Sequence, residues 1–485
     1  MSPTRGRNSN SYGRSQRNRS GDSIQLAAAT AAHFQAIRQP QSHRCRRSGA
    51  HLHPQIILRW RRRRAASPPR TPPPRSSWVI LGSIPRVVQR GGGDGEAADL
   101  SLALAAPPRV SRLTVSQRVF PDRPTAQNFP FVLAADPSVL LLLSALLPAP
   151  RTRVDIDRPG NQSFQWRDYD SRFFVLDATT GSAFRLPDPE PQEPIEHQAL
   201  LGILARPGGG YMVAELLPVF GEDTADLRCY SSDVGEWVDK SVHYPLPPRP
   251  LEPICTLAHA GRLWWVDYSW GIITSDPFAD APVLRFVPLP RPCVLEYKEA
   301  PGVLDKFRYV GVSAGKLRFV DTYRRGGAPT KVTVWTLPDA DATEWKLEHE
   351  ANFADIGADD SYKATGLPKK VPVLALIHPH NPAVVYFFLE GHLLGVDVPA
   401  RKVVECDRYH LVAPPRDYPI ANRFIRAWEL PESVSTDLGN WPSDIGSTEP
   451  AEVPSYQRRR GDYDLVGNSR ISPKLLTGAM MFAHV

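Results

Sequence analysis

Cysteine is scarce in this chain of 485 residues, and the five present, Cys45, Cys229, Cys255, Cys293 and Cys406, are far apart with no C-x-x-C pair. That pattern argues against a thiolate zinc module and for a reducing compartment without structural disulfides. Long apolar runs are also missing. The longest, Val139 to Leu147, is about half of the roughly 20 residues a membrane helix needs, so a soluble protein with no membrane partner is expected. None of the strings G-x-S-x-G, Walker A, G-x-G-x-x-G or H-E-x-x-H occurs, which removes the usual warrants for an enzyme and leaves no cofactor to name. Lysine is absent from residues 1–77, which nevertheless hold sixteen arginines against the single acid Asp22. The net charge of +7 therefore divides into +15 on this leader and −8 on the remainder. A basic nucleic-acid surface on the main body is disfavoured, and any such partner is confined to the leader.

What is abundant is proline, at 50 residues, about twice ordinary usage. Proline lacks the N–H and clashes with the preceding helical turn, so an all-helical protein is excluded. Residues 1–77, rich in Arg, Pro and Ser, cannot bury enough apolar surface to offset chain entropy and read as a disordered leader. Three roles fit it: a transit peptide to chloroplast or mitochondrion, a basic arm for nucleic acid or nuclear import, or an extension without function, with the body in cytoplasm or nucleus. Residues 431–485 read as a mostly disordered tail. The region between, 78–430, has strand-and-turn grammar. The small apolar segment Ala97 to Ala106 reads as a short helix, stopped by Pro107-Pro108.

Three copies of one string organise this region: Gly261 to Asp267, Gly315 to Asp321 and Gly391 to Asp397, each G-x-L-x-x-V-D. The pattern predicts a glycine turn, a core strand and a closing Asp. Hairpins such as Phe173 to Leu176 with Ala183 to Leu186, and Lys331 to Leu337 with Glu344 to Leu347, complete four antiparallel strands per unit. Units of this kind at roughly 40–50 residues are β-propeller blades. An all-β, β-propeller-like array of about six blades over residues 78–430 is expected. The competing architecture is a set of β-sandwich domains.

Ser76 to Leu81, Ala98 to Ala103, Arg308 to Ser313, Val334 to Leu337 with Trp345 to Glu350, and Leu376 to Pro379 with Val384 to Leu389 together resemble the plant domain-of-unknown-function family 1618, expanded in grasses. The resemblance covers Ser76 to Val412. It implies no reaction or ligand. The hairpin repeats are also similar to propeller domains that follow F-boxes, although no F-box helices precede Trp78.

Candidate sites follow from residue type. Asp267, Asp321 and Asp397 could ring one face as ligands for a cation or sugar in a carbohydrate-binding or hydrolytic propeller, but recurrence at one position of every unit favours turn capping. Asp155 and Asp157 read as a solvated pair. His43, Cys45, His51 and His53 match no zinc spacing, so no metal site is named; His378 and His380 read as turn histidines. Trp237, Trp264, Trp265, Trp335 and Trp345 are expected between blades. Trp270, with Tyr268, stands in a connecting loop and is the expected anchor for a protein partner. A noncatalytic interaction module is the function this favours.

Overall fold

The structure is a computed structural model and describes residues 77–430, apart from 89–97, 126–127, 159–160, 190–194, 196–197, 220–221, 247–250, 297–302, 325, 327–328 and 410–419. The leader up to residue 76 and the tail, with His43, Cys45, His51 and His53, lie outside the described residues.

The chain opens with β1 (Trp78–Gly82), β2 (Arg86–Val88), β3 (Leu100–Ala103) and β4 (Val110–Ser116). Strands then come in consecutive fours: β5 (Phe131–Ala135), β6 (Leu140–Arg158), β7 (Asn161–Asp177) and β8 (Ser182–Arg185); β9 (Leu201–Ala205), β10 (Tyr211–Pro218), β11 (Thr224–Ser231) and β12 (Trp237–His243); β13 (Cys255–His259), β14 (Arg262–Asp267), β15 (Gly271–Ser275) and β16 (Arg285–Pro288); β17 (Arg308–Ser313), β18 (Lys316–Asp321), β19 (Lys331–Thr336) and β20 (Lys346–Asn352); β21 (Val373–Ile377), β22 (Val384–Leu389), β23 (His392–Asp397) and β24 (Lys402–Arg408). Each four is one antiparallel sheet whose spatial order is its chain order. Two short helices, α1 (Phe353–Ala358) and α2 (Asp360–Ala364), occupy the long link between the fourth and fifth of these blades. The last strand among the described residues is β25 (Ile425–Glu429).

These five blades are one fewer than the roughly six expected, and a mixed sheet of different construction completes the ring. β25 lies antiparallel to β1, and β1 lies parallel to β4. Val115 of β4 pairs on one side with Val87 and on the other with Leu100, so β2 prolongs the row begun by β1 and β3 forms the edge. The expected helix at 97–106 is therefore in part a strand. Leu100 to Ala103 find a ready ladder on Val115 to Arg112, whereas a helix ended by Pro107-Pro108 would be shorter than the 12–15 residues that sustain one alone.

Six apolar cores join the layers, each between two neighbouring sheets. Val79, Leu113 and Trp428 meet Leu141 and Leu176; Phe131 and Val175 meet Ile203 and Val213; Leu216 and Leu227 meet Trp265 and Ile273. Trp264 and Ile272 meet Leu317 and Phe319, Val320 and Val334 meet Val385 and Phe387, and Tyr386 and Phe388 meet Trp78 and Ile80. Because both faces of each sheet are covered, central strands such as β15 and β22 are buried throughout. Outer strands such as β24 instead alternate between exposed and half-buried. The tryptophans tie layers together: Trp265 Nε1 donates to Leu200 O at 2.6 Å, Trp345 Nε1 to Pro288 O at 2.9 Å and Trp237 Nε1 to Pro187 O at 2.8 Å.

The repeated string is explained at each step. Ala260-Gly261, Ala314-Gly315 and Glu390-Gly391 are two-residue hairpin loops with positive φ at both positions, the type I′ turn whose twist matches the flanking strands and whose second residue glycine fills without strain. Its place in the blade is not constant. β14 and β18 are second strands, while β23 is a third strand, so the string marks a hairpin and not a blade.

Trp428 is 1% exposed and donates from Nε1 to Asp136 O at 3.1 Å, from the closing sheet to the first blade. Trp428→Ala is expected to cost about 3–5 kcal/mol, read as a lower urea midpoint, whereas the half-exposed Val404→Thr stays within about 0.5 kcal/mol.

Candidate functional site

The three repeat carboxylates are engaged by their own turns. Asp267 Oδ1 accepts from Ser269 N at 2.7 Å and Ser269 Oγ at 2.5 Å, and its Oδ2 from Trp270 Nε1 at 2.9 Å and Glu252 N at 3.0 Å. Asp321 Oδ1 accepts from Tyr323 N at 2.8 Å, and both its oxygens take Arg308 at 3.2 Å. Asp397 Oδ1 accepts from Ala400 N at 2.9 Å. Each of them thus caps its turn by accepting a neighbouring backbone amide.

Trp270 and Tyr268 correct the expectation of an exposed anchor. They are 8% and 2% exposed. Trp270 bonds to Asp267 and packs on Phe286 with ring centroids 4.7 Å apart. The tight Asp267 turn folds the tryptophan back under the blade, which a reading of the loop as linear sequence did not anticipate.

His378 is a turn histidine. Its Nδ1 accepts the backbone N–H groups of His380 at 3.0 Å and Asn381 at 3.1 Å, and its ring lies 4.6 Å from that of Trp78. Burial, with His380 alongside, pulls its pKa down to about 4, as an imidazole nitrogen committed to two donors requires. His380 has Ser77 Oγ 2.9 Å from Nε2 and Glu429 Oε1 3.8 Å from Nδ1. The order serine, histidine, carboxylate is that of a hydrolase, but 3.8 Å is beyond hydrogen-bond reach, and both His380 and Glu429 are open to solvent. The cluster clasps the two strands that close the ring.

An apolar hollow of about 180 Å³ lies under α1 and α2, lined by Ile356, Tyr362, Phe387, Leu389 and Leu394. It is below the roughly 300 Å³ at which ligand pockets begin. Among the described residues no cluster of His, Cys, Asp and Glu could hold a metal ion, and no helix is long and apolar enough to cross a membrane.

The axis of the ring gathers a set that the sequence did not single out. First strands of neighbouring blades converge there: β9 meets β5 and β13, β13 also reaches β5, and β21 meets β17 and β25. They bring together Cys255 of β13, Tyr309 of β17 and Arg426 of β25, with Tyr268 just beyond β14. Cys255 Sγ is 3.9 Å from Tyr268 Oη, and Arg426 Nε donates to Val132 O of β5 at 3.1 Å. The charge of Arg426 acts on the thiol and on both phenols. Protein surrounds Cys255, Tyr309 and Arg426, yet each keeps some accessible surface.

Burial pushes the Cys255 thiol and the Tyr268 and Tyr309 phenols up, leaving all three neutral at pH 7, and it works against the charge on Arg426. The neighbouring cations are matched: Arg308 lies on Asp321 and Arg423 on Asp305. Arg308 Nη1 also donates to Tyr268 O at 2.6 Å, and Asn422 Nδ2 to Arg308 O at 2.6 Å. In sequence each axial residue is one polar interruption of a different strand, which gives no local signal.

Residues 265–386 match the family described as protein of unknown function, DUF1618. The match is shorter than the Ser76 to Val412 stretch of the resemblance, and it includes Tyr268 and Tyr309 but neither Cys255 nor Arg426. No curated relative matches the chain. Among solved structures, a chain of the mitotic checkpoint complex is 8% identical, with 73% of this chain and 75% of that chain covered and a TM-score of 0.28. The Myceliophteria thermophila Cps50 (Swd1) β-propeller domain is 12% identical, with 64% and 99% covered and a TM-score of 0.30. The fold rests on the sheets and the six cores, to which likenesses of this degree add nothing.

The unfolded chain takes a proton on His378 near the ordinary 6.5, the folded chain only near about 4. The stability tied to the neutral ring is thus complete above pH 6.5 and is lost as pH falls towards 4. Urea midpoints at pH 7, 5.5 and 4.5 should fall more steeply for the parent than for His378→Asn, whose Oδ1 can accept the same backbone donors; equal slopes would refute the assignment.

Proposed function

We propose that the protein is a noncatalytic interaction module of propeller type, and that its grip on a protein partner lies in the hairpin arm of the first antiparallel blade. The observation that supports this is the length of β6 and β7. β5 pairs with β6 only over Leu141 to Ser144, and β8 with β7 only over Phe174 to Asp177. The β6–β7 ladder runs on to Arg158↔Asn161. The stretch from Thr152 to Arg158 alone spans roughly 20 Å at about 3.4 Å per residue.

A two-stranded ribbon is marginally stable alone, and its edges carry N–H and C=O groups that another strand can complete. A partner that adds a strand or packs on the ribbon stabilises both. On this reading the interaction lies on the arm and not on Trp270, whose substitution would act on the packing of its blade. The repeat carboxylates act in this reading as turn caps, each with one oxygen accepting a neighbouring backbone amide.

Replacing residues 149–168 by a two-residue Asn-Gly turn between Pro148 and Tyr169, which face each other in the ladder, tests this with the register kept. The shortened protein is expected to melt within a few degrees of the parent and to lose the proteins that proximity labelling assigns to the parent. Recovery of the same partners at the same yield would overturn the reading.

A further inference from the structure

The hollow beneath the helical link is bounded by elements that are each held in place by other contacts. Its floor is β22 and β23, whose Phe387, Leu394 and Val396 are buried, and its roof is α1 and α2. The roof is tied down at two points. The Phe353 ring lies edge-on to that of Phe387 with centroids 5.4 Å apart, and Ser361 Oγ accepts from Val403 N of β24 at 2.9 Å. Interiors are otherwise close-packed, with few voids larger than a water molecule, so a space of about 180 Å³ between such a roof and floor stands out.

Gly357 shows where that space lies. It is buried in α1 and lines the hollow, yet a Cβ added to it would meet no atom within 4 Å outside its own stretch of helix. Glycine weakens a helix relative to alanine, and here it leaves the hollow one methyl wider. The polar side-chain groups on the lining are the Tyr362 hydroxyl, which donates to Pro368 O at 2.6 Å, and the ammonium groups of the exposed Lys369 and Lys370, the second held on Glu390 at 2.6 Å. Exposed Val371 lines the hollow beside them, so this segment is its mouth. A water is held by two to four polar partners, and the interior side chains offer one hydroxyl that is already engaged.

We propose that this hollow binds a small monocyclic aromatic molecule, its ring between the link and the fifth blade and any polar substituent at the lysine mouth. At about 180 Å³ the hollow exceeds the roughly 150 Å³ of an apolar cavity that takes up benzene. The rings of Phe353, Phe387 and Tyr362 on its walls favour an aromatic occupant, which can extend the edge-to-face pair already there. An occupant packs against both roof and floor and fastens the link to the blade. The site is separate from the hairpin arm, and the two readings fail independently.

The test uses the full chain in sealed calorimeter cells, titrated with toluene, with hydrogen exchange of peptides covering 353–366 read alongside. A saturable rise in melting temperature is expected, together with slower exchange in those peptides. Gly357→Leu places a side chain in the hollow and should lose both responses while remaining folded. Gly357→Ala, which adds one methyl and a better helix former, should melt higher than the parent and need more toluene for the same rise. N-acetyl-phenylalaninamide, whose backbone flanks the ring, should give no response. The proposal is overturned if toluene gives no saturable rise, if protection appears only away from 353–366, or if Gly357→Ala or a folded Gly357→Leu responds as the parent does. It is also overturned if the phenylalanine amide binds as well as toluene, which would assign the hollow to a side chain of a partner.

Discussion

Trp78 pairs with Glu429 and Gly82 with Ile425, and this five-pair ladder between opposite ends of the described chain is what the ring depends on. Bringing together ends about 350 residues apart carries a closure entropy of about 5 kcal/mol by the (3/2)RT ln n rule, more than a bare ladder of that length returns. The joint is accordingly reinforced on both flanks. Val132 N donates to Ser83 O and Ser83 N to Phe424 O, while Leu430 N reaches Ser77 O. The apolar cores on either side of the closing sheet hold Trp428 against the first antiparallel blade and Trp78 against the last. Without β1 and β25, two blades would each present an apolar face to water.

Beside the axis, Arg308 lies on Asp321 and Arg423 on Asp305. Elsewhere a buried arginine has its carboxylate: Arg228 lies between Asp239 and Glu215, and Arg318 on Glu348 at 2.8 Å. These pairs sit within single blades and carry no more than structure. Arg426 stands on β25 and gives Nε to Val132 O of the first antiparallel blade.

Strand grammar was readable because each part of it has a local cause. Glycine at the second position of a type I′ turn, leucine and valine facing a neighbouring blade, and aspartate accepting amides two or three residues on can all be inferred from seven consecutive residues. The position of the hairpin within its blade could not, since the same seven residues serve a second strand at Gly315 and a third at Gly391. The closing sheet was hidden for a related reason: parallel pairing of Ile80 with Val110 needs a partner the local pattern does not name, and β25 finds its partner at the other end of the chain. Leu100 to Ala103 read as helical while β4 was not in view. Trp270 read as exposed until the Asp267 turn showed where its indole goes. The axial residues fell furthest from sight, because Cys255 and Arg426 lie on strands separated in the chain by two whole blades, β17–β20 and β21–β24, and nothing in their own neighbourhoods links them.

The consecutive order of strands within the five blades also sets a timetable for synthesis. Each of those sheets can finish its ladder from its own stretch of polypeptide, while β1 must wait for β25. At about 5–20 residues per second that delay is roughly 20 to 70 s. Throughout it Trp78, Val79, Ile80 and Leu81, all buried in the finished ring, have no antiparallel partner. β4, only 30 residues behind β1 in the Ile80↔Val110 register, supplies a parallel one early. The odd topology of the closing sheet thus gives a newly made strand something to hold until the chain's far end arrives.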